Sequence, residues 1–193
     1  MSKTDLNKEL EHITKTSKCL FNNEEVEEKL ATLASELNKK LNDKKPIFIC
    51  VMVGGLITSG RLLPKLDFPL EVDYAHASRY GSETEGKGLN WLAKPSINLE
   101  NRCIVLIDDV LDGGLTLAGI KDFCLEQGAS EVLTTVLIDK PSGRQDGGIT
   151  SPDFKAITIG NHWLIGLGLD YKGYLRNLPG IYAMDPKVVS EYY

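Results

Sequence analysis

The stretch that most constrains this chain is residues 103–120, CIVLIDDVLDGGLTLAGI. Ile104, Val105, Leu106 and Ile107 run into two adjacent carboxylates, Asp108 and Asp109, and a third acid, Asp112, follows shortly after. A short apolar, β-branched run bounded by turn residues predicts a strand buried on both faces. Gly113 and Gly114 then allow a sharp turn and a close approach of ligand to backbone. An apolar helical pattern begins at Leu117, so free N–H groups around 114–117 would form an anion cradle at a helix N-terminus. Acids beside such a cradle would repel an anion unless a cation or a sugar lay between them. A hard cation such as Mg2+ and a ribose diol both suit carboxylates. Asp112 taken alone reads equally well as a helix N-cap. A nucleoside-triphosphatase strand of the same form needs a G-x-x-x-x-G-K-[ST] loop, and the chain contains none. Gly113-Gly114 also lacks the G-x-G-x-x-G spacing of a dinucleotide fold.

The flanking chain reads as α/β. Residues 1–21 are polar with weak helical spacing at Leu6, Leu10 and Ile13, a segment packed on the surface. Asn22 and Glu25 have capping-box spacing, and Val26, Leu30, Leu33, Ala34, Leu37 and Leu41 form one helical stripe. Residues 47–53 predict a central parallel strand ended by Gly54-Gly55, then a short helix that Pro64 ends or bends. Residues 70–79 alternate as a half-buried strand, with Leu70, Val72, Tyr74 and His76 on one side and Glu71, Asp73, Ala75 and Ala77 on the other. Residues 81–88 are polar and glycine-rich, a mobile loop of the kind that serves as a lid. A helix over 117–127 capped by Gly128, a strand over 131–138, a loop over 142–152 and a strand over 156–160 complete the pattern.

Bulk properties exclude several classes. A chain of 193 residues reads as one domain, 1–193, with room for a substantial core. Net charge is −5 with no basic block, so nucleic acid is not the expected partner. The longest mainly apolar run, 47–57, is too short to span a bilayer, and the charged N-terminus has no apolar signal region. Cys19, Cys50, Cys103 and Cys124 lack metal-ligand spacing and fit buried free thiols in a reducing cytoplasm. None sits at an electropositive turn, which disfavours a nucleophilic role.

The segment LIDDVLDGGLTL resembles the phosphoribosyl-pyrophosphate motif of the type I phosphoribosyltransferases. Two further segments resemble the hypoxanthine-guanine branch of that family. One is Asp139-Lys140-Pro141 at a strand end. The other runs from Trp163 through Gly166 and Asp170-Tyr171 to Arg176 and Asn177-Leu178-Pro179. The likeness covers about 46–180. It implies a mostly parallel twisted sheet flanked by helices, with a core of about 22–160 and a small hood from the N-terminal segment and about 161–193. It implies transfer of 5-phosphoribosyl from phosphoribosyl pyrophosphate to N9 of a 6-oxopurine, with Mg2+ as cofactor, in a cytoplasmic homodimer or homotetramer.

Site roles follow from the same resemblance. Asp108 and Asp109 hold the ribose hydroxyls and, with Asp170, the metal. Asp112 is the general base at purine N7, and 112–116 (Asp112, Gly113, Gly114, Leu115, Thr116) grip the 5′-phosphate. Lys140 donates to the purine 6-oxygen, Trp163 stacks on the base, and Leu164 offers backbone groups to its edge beside Asp170. Val53, Gly54, Arg79, Tyr80 and Arg176 meet pyrophosphate. The chain departs from the family in four places, the first being Arg79, which stands where the family has serine before the tyrosine. Val53 stands where the family has lysine, so only backbone contacts carry over, and the family usually has threonine at Gly113 and a longer polar residue at Leu115. Two other readings stay open: a xanthine-preferring transferase, and a non-catalytic regulator that binds phosphoribosyl pyrophosphate.

Overall fold

A computed structural model describes residues 3–79 and 89–192. Its frame is a six-stranded sheet of order β4-β3-β2-β5-β6-β7. The strands are β2 (Ile47–Val51), β3 (Glu71–Arg79), β4 (Leu89–Ala93), β5 (Cys103–Leu111), β6 (Glu131–Asp139) and β7 (Phe154–Thr158). β2 pairs in parallel with β3 and β5, β5 with β6, and β6 with β7; only β3–β4 is antiparallel.

Strand alternation sorts the central side chains into two cores. Phe48, Val105 and Ile107 face one, with the apolar stripe of α2 (Asn23–Leu41) and Leu62 of α3 (Gly55–Leu62). Ile47, Ile49, Val51, Ile104 and Leu106 face the other, with Leu117, Ile120 and Cys124 of α4 (Leu115–Glu126). Every residue of β2 is buried, as expected for a parallel strand covered on both faces. Both halves of the α2 capping box are made: Glu25 N donates to Asn22 at 3.0 Å, and Asn22 N to Glu25 at 2.8 Å. α3 ends at Leu62 and gives way to a 3-10 turn containing Pro64, the bend its missing N–H demands.

Three features depart from the sequence reading or go beyond it. First, residues 1–21 hold a helix, α1 (Lys3–Thr16), whose Ile13 is buried, followed by a strand, β1 (Lys18–Phe21). β1 pairs antiparallel with β9 (Ile181–Ala183), which pairs with β8 (Leu164–Ile165), giving a small second sheet. These strands are too short to show a period, and their partners lie far away in sequence. α5 (Pro186–Tyr192) closes the chain and supplies Val188 and Val189 to a third core with Ile13, Ile165 and Tyr171. Second, β3 buries Asp73, Ala75 and Ala77 and leaves the more apolar Val72 and Tyr74 exposed. Asp73 tolerates burial because its carboxylate accepts from Tyr74 N, Ser96 N and Ile97 N. Third, Cys19 is exposed; the other three cysteines are buried, and all four are free. Burial pushes the Cys103 thiol up to about 11 and that of Cys124 to about 12, so both remain protonated and inert. Residues 81–88, read as a lid, lie outside the described residues.

Candidate active site

α3, after β2, and α4, after β5, pack on opposite faces of the sheet, so the chain diverges between these neighbouring strands. A crevice beyond the carboxyl ends of parallel strands at such a point is where open α/β sheets bind ligands. Here it is a cavity of about 490 Å3. Its walls include Val53, Gly54, Asp108, Asp109, Asp112, Gly113, Gly114, Leu115, Thr116, Lys140, Trp163, Leu164, Asp170 and Arg176. Of the residues expected in a site, Arg79 is the last of β3, with its backbone paired to Leu89, and Tyr80 lies outside the described residues.

The floor is the end of β5. Asp109 N donates to Asp108 at 2.9 Å, so the carboxylates are held close together. Burial first, and then the charge of Asp109, push the Asp108 carboxyl well above its ordinary range; burial also raises that of Asp109. Glycines make room for these acids. A Cβ at Gly54 would lie 2.4 Å from an Asp109 carboxylate oxygen, and one at Gly168 would lie 2.2 Å from the Gly54 carbonyl. Gly168 also has φ 110°, a backbone open to glycine alone without strain.

A raised native carboxyl pKa opposes folding once pH exceeds the unfolded value near 4, and the opposition is complete above the native value. Asp108→Asn keeps the acceptor for Asp109 N and removes the charge. It should raise the melting temperature at pH 8 without added metal, and the gain should vanish near pH 4. A lower melting temperature at pH 8 would contradict the geometry.

The cradle forms as expected but starts earlier. α4 begins at Leu115 rather than Leu117, with Gly114 as N-cap at φ 80°. The N–H groups of its first turn therefore open beside Asp112–Thr116. No side chain caps α4, which removes the N-cap reading of Asp112. Asp112 instead accepts from Lys140 Nζ at 2.8 Å, where β6 ends next to β5. Lys140 is largely buried, whereas the Asp112 side chain is 46% exposed to the cavity side.

The third wall comes from 163–176. Gly166 and Leu169 pair across one tight turn, Tyr171 and Tyr174 across the next. Positive φ at Leu167, Lys172 and Leu175 folds the segment back on itself. Tyr171 is buried and donates to Glu9 of α1, which also takes Lys172 at 2.7 Å. This brace presents Arg176, whose Nη2 lies 2.7 Å from Asp170 and whose Nη1 lies 4.0 Å from Asp109. Arg176 thus links two acids expected to share a metal. Asp170 is committed to it and to Gly173 N, at 2.6 Å. Trp163 lines the cavity and stands 55% exposed, as a stacking platform requires.

Gln145 and His162 also line the cavity and were not anticipated. Gln145 lies in a loop legible only as polar and glycine-rich; its N–H donates to Gly113 O at 3.1 Å. His162 precedes Trp163 and carries no local signal. Among the described residues no three His, Cys, Asp or Glu side chains converge as a ready metal cluster. No described helix is long and apolar enough to cross a membrane.

Residues 17–172 match the model of the phosphoribosyl transferase domain family. The hypoxanthine-guanine phosphoribosyltransferase of Bacillus subtilis is 33% identical over 172 residues, 89% of this chain and 94% of that protein. The bifunctional protein TilS/HprT of Listeria innocua is 31% identical over 175 residues, 90% of this chain but 27% of that protein, so the chain spans about a quarter of it. A solved hypoxanthine phosphoribosyltransferase from Staphylococcus aureus shares the fold, with TM-score 0.82 at 24% identity over 89% of this chain and 92% of that one.

Proposed function

The chain belongs to the phosphoribosyl transferase domain family, in its hypoxanthine-guanine branch, and on that premise we propose that it moves 5-phosphoribosyl from phosphoribosyl pyrophosphate to N9 of a 6-oxopurine in purine salvage. The observation that carries this reading is the Asp112–Lys140 pair, 2.8 Å apart at one end of the crevice, with the helix N-terminus beside it and Trp163 at the rim. A 6-oxopurine offers an acceptor oxygen next to N7. Lys140 donates to the oxygen, and Asp112 takes the N7 proton as N9 bonds to the ribose carbon. The bond to pyrophosphate breaks and pyrophosphate leaves. Positive charge that gathers on the ribose as the bond loosens is met by Asp108 and Asp109, so catalysis is mostly positioning and electrostatics. Amides of 112–116 and the Thr116 hydroxyl hold the 5′-phosphate. Leu164 offers backbone groups to the base edge. Arg176 and the backbone of Val53 and Gly54, with Arg79 and Tyr80, would receive pyrophosphate.

Mg2+ fits the acids at the crevice floor. Two adjacent carboxylates, both raised by burial and Asp108 also by the charge of Asp109, are relieved by a cation, and Mg2+ needs only one or two protein carboxylates when substrate oxygens complete its shell. Asp108 and Asp109 would hold it, with Asp170 near through Arg176. When bound it supplies charge stabilisation at the leaving pyrophosphate. Free cysteines throughout fit a reducing cytoplasmic compartment. The same reading takes the chain as one domain, with a small lobe built on the three-stranded sheet.

An oligomer is part of the proposal. On the face that carries α2 and α3, no described helix covers β3 and β4, and Val72, Tyr74 and Leu92 stand 53%, 50% and 65% exposed. Sedimentation velocity should give a mass of at least twice 21.3 kDa, reduced by Tyr74→Glu. A monomer at micromolar concentration would remove this part.

The deciding test of the activity is consumption of hypoxanthine, guanine, xanthine and adenine with phosphoribosyl pyrophosphate and Mg2+. Turnover of a 6-oxopurine is expected; tight substrate binding without turnover would favour the regulator reading. The platform is tested separately. Trp163→Ala should weaken purine nucleotide binding by roughly 1–3 kcal/mol, the worth of a base–aromatic stack, and leave pyrophosphate binding unchanged. Equal losses for both ligands would deny Trp163 a stacking role.

A further inference from the structure

Beyond the last rung of the sheet, where Leu111 of β5 is in register with Asp139 of β6, the two strands part. β5 turns into Asp112 and the cradle, and β6 turns into Lys140 and the loop that follows. Besides the Asp112–Lys140 bridge itself, the Arg144 side chain spans the gap. Arg144 Nη1 donates to the carbonyls of Leu111 at 2.5 Å, Asp112 at 2.7 Å and Lys140 at 3.0 Å. Its Nη2 donates to the buried Asp139 carboxylate, and its Nε donates to Thr150 O at 3.0 Å. The Arg144 side chain is 16% exposed and has no place in the cavity wall.

We infer that Arg144 is a positioning residue that sets the spacing of Asp112 and Lys140. The inference rests on the reading that this pair meets the 6-oxo and N7 edge of a purine. In the free protein the pair is held partly by its own ion bridge. A purine engaging both groups takes over each side of that bridge, and the backbone spacing then depends on what fixes the two carbonyls. Lys140 N donates to Leu111 O at 3.0 Å, which ties Lys140 to the strand but not to Asp112. Arg144 grips both residues from behind, and the planar fork of a guanidinium suits several fixed acceptors where an ammonium does not.

The test is Arg144→Lys, which retains a cation for Asp139, alone and combined with Asp112→Asn. A misplacement of about 1 Å at reacting groups can cost on the order of 10²-fold. Arg144→Lys should therefore lower kcat/KM for the purine by roughly 10–10²-fold, with KM for phosphoribosyl pyrophosphate changed by less than about threefold. In the Asp112→Asn background the same change should cost less than about threefold, because a residue acting through Asp112 has little left to act on. Equal losses in both backgrounds would mark a purely structural role and overturn the inference, as would full activity of Arg144→Lys. A crystal structure of Arg144→Lys needs no turnover. A separated Asp112–Lys140 pair supports the inference, and an unmoved pair overturns it, even if the parent protein proves unable to transfer phosphoribosyl, which would defeat only the functional reading.

Discussion

Asp112→Asn is expected to lower kcat by about 10²–10⁴-fold, the range that positioned acid–base groups contribute. The carboxylate stands at the turn between the acids of β5 and the N-terminus of α4, and it accepts from Lys140 Nζ on the side where the base would bind. Asparagine keeps an oxygen for Lys140 but cannot take a proton. Because Asp112 caps no helix, its loss removes no cap. The stability change should stay near 1 kcal/mol, roughly 2–4 °C in melting temperature for a chain of this size. Nucleotide binding should weaken by less than about tenfold, since the amides of the cradle are untouched. Activity within a factor of about three of the parent would reject the role.

The second large effect concerns base choice. Lysine can only donate, so Lys140 accepts a 6-oxo group and opposes a 6-amino group, which also donates. A largely buried donor left facing a donor costs roughly 1–3 kcal/mol, about ten- to a hundredfold in kcat/KM against adenine. Lys140→Met should lower kcat/KM for hypoxanthine by roughly ten- to a hundredfold, since hydrogen bonds to charged groups are worth about 1.5–3 kcal/mol. The same variant should narrow the gap between hypoxanthine and adenine. Asp112 tolerates losing this partner because it is open to solvent. Comparable constants for adenine and guanine in the parent protein would sink the assignment.

Legibility in the sequence followed the range of the interactions. α2 could be read to its cap, because its stripe and its Asn22–Glu25 box are local. The buried run of β5, the glycine turn and the helix after it were equally plain, with the start of α4 displaced by two residues because Leu115 and Thr116 have no distinct signal. Phosphate, sugar and base residues came from motif likeness, and the structure gathers nearly all of them around one crevice. What stayed hidden was set by distant partners. β1 exists because β9 is there to pair with it. The inward face of β3 could not be chosen from hydropathy, since Asp73 is satisfied by Ser96 and Ile97 and the apolar face looks away from α4. Arg144 lies in a stretch legible only as a loop, and its contacts depend on the ends of two strands that converge on it.

The glycines around the acids carry a consequence for how tolerance to change should be mapped along this chain. A methyl group at Gly143 would fall 1.5 Å from an Asp112 carboxylate oxygen, as one at Gly54 would collide with Asp109. Neither glycine offers a side chain to any substrate. A scan that replaces every position in turn would nonetheless score 54 for crowding the buried Asp109, and 143 for the displacement it forces on the Asp112 carboxylate. Such a profile marks clearance as well as chemistry: part of what is inherited at these positions is empty space, and alanine, the usual probe for a dispensable side chain, is the one that fills it.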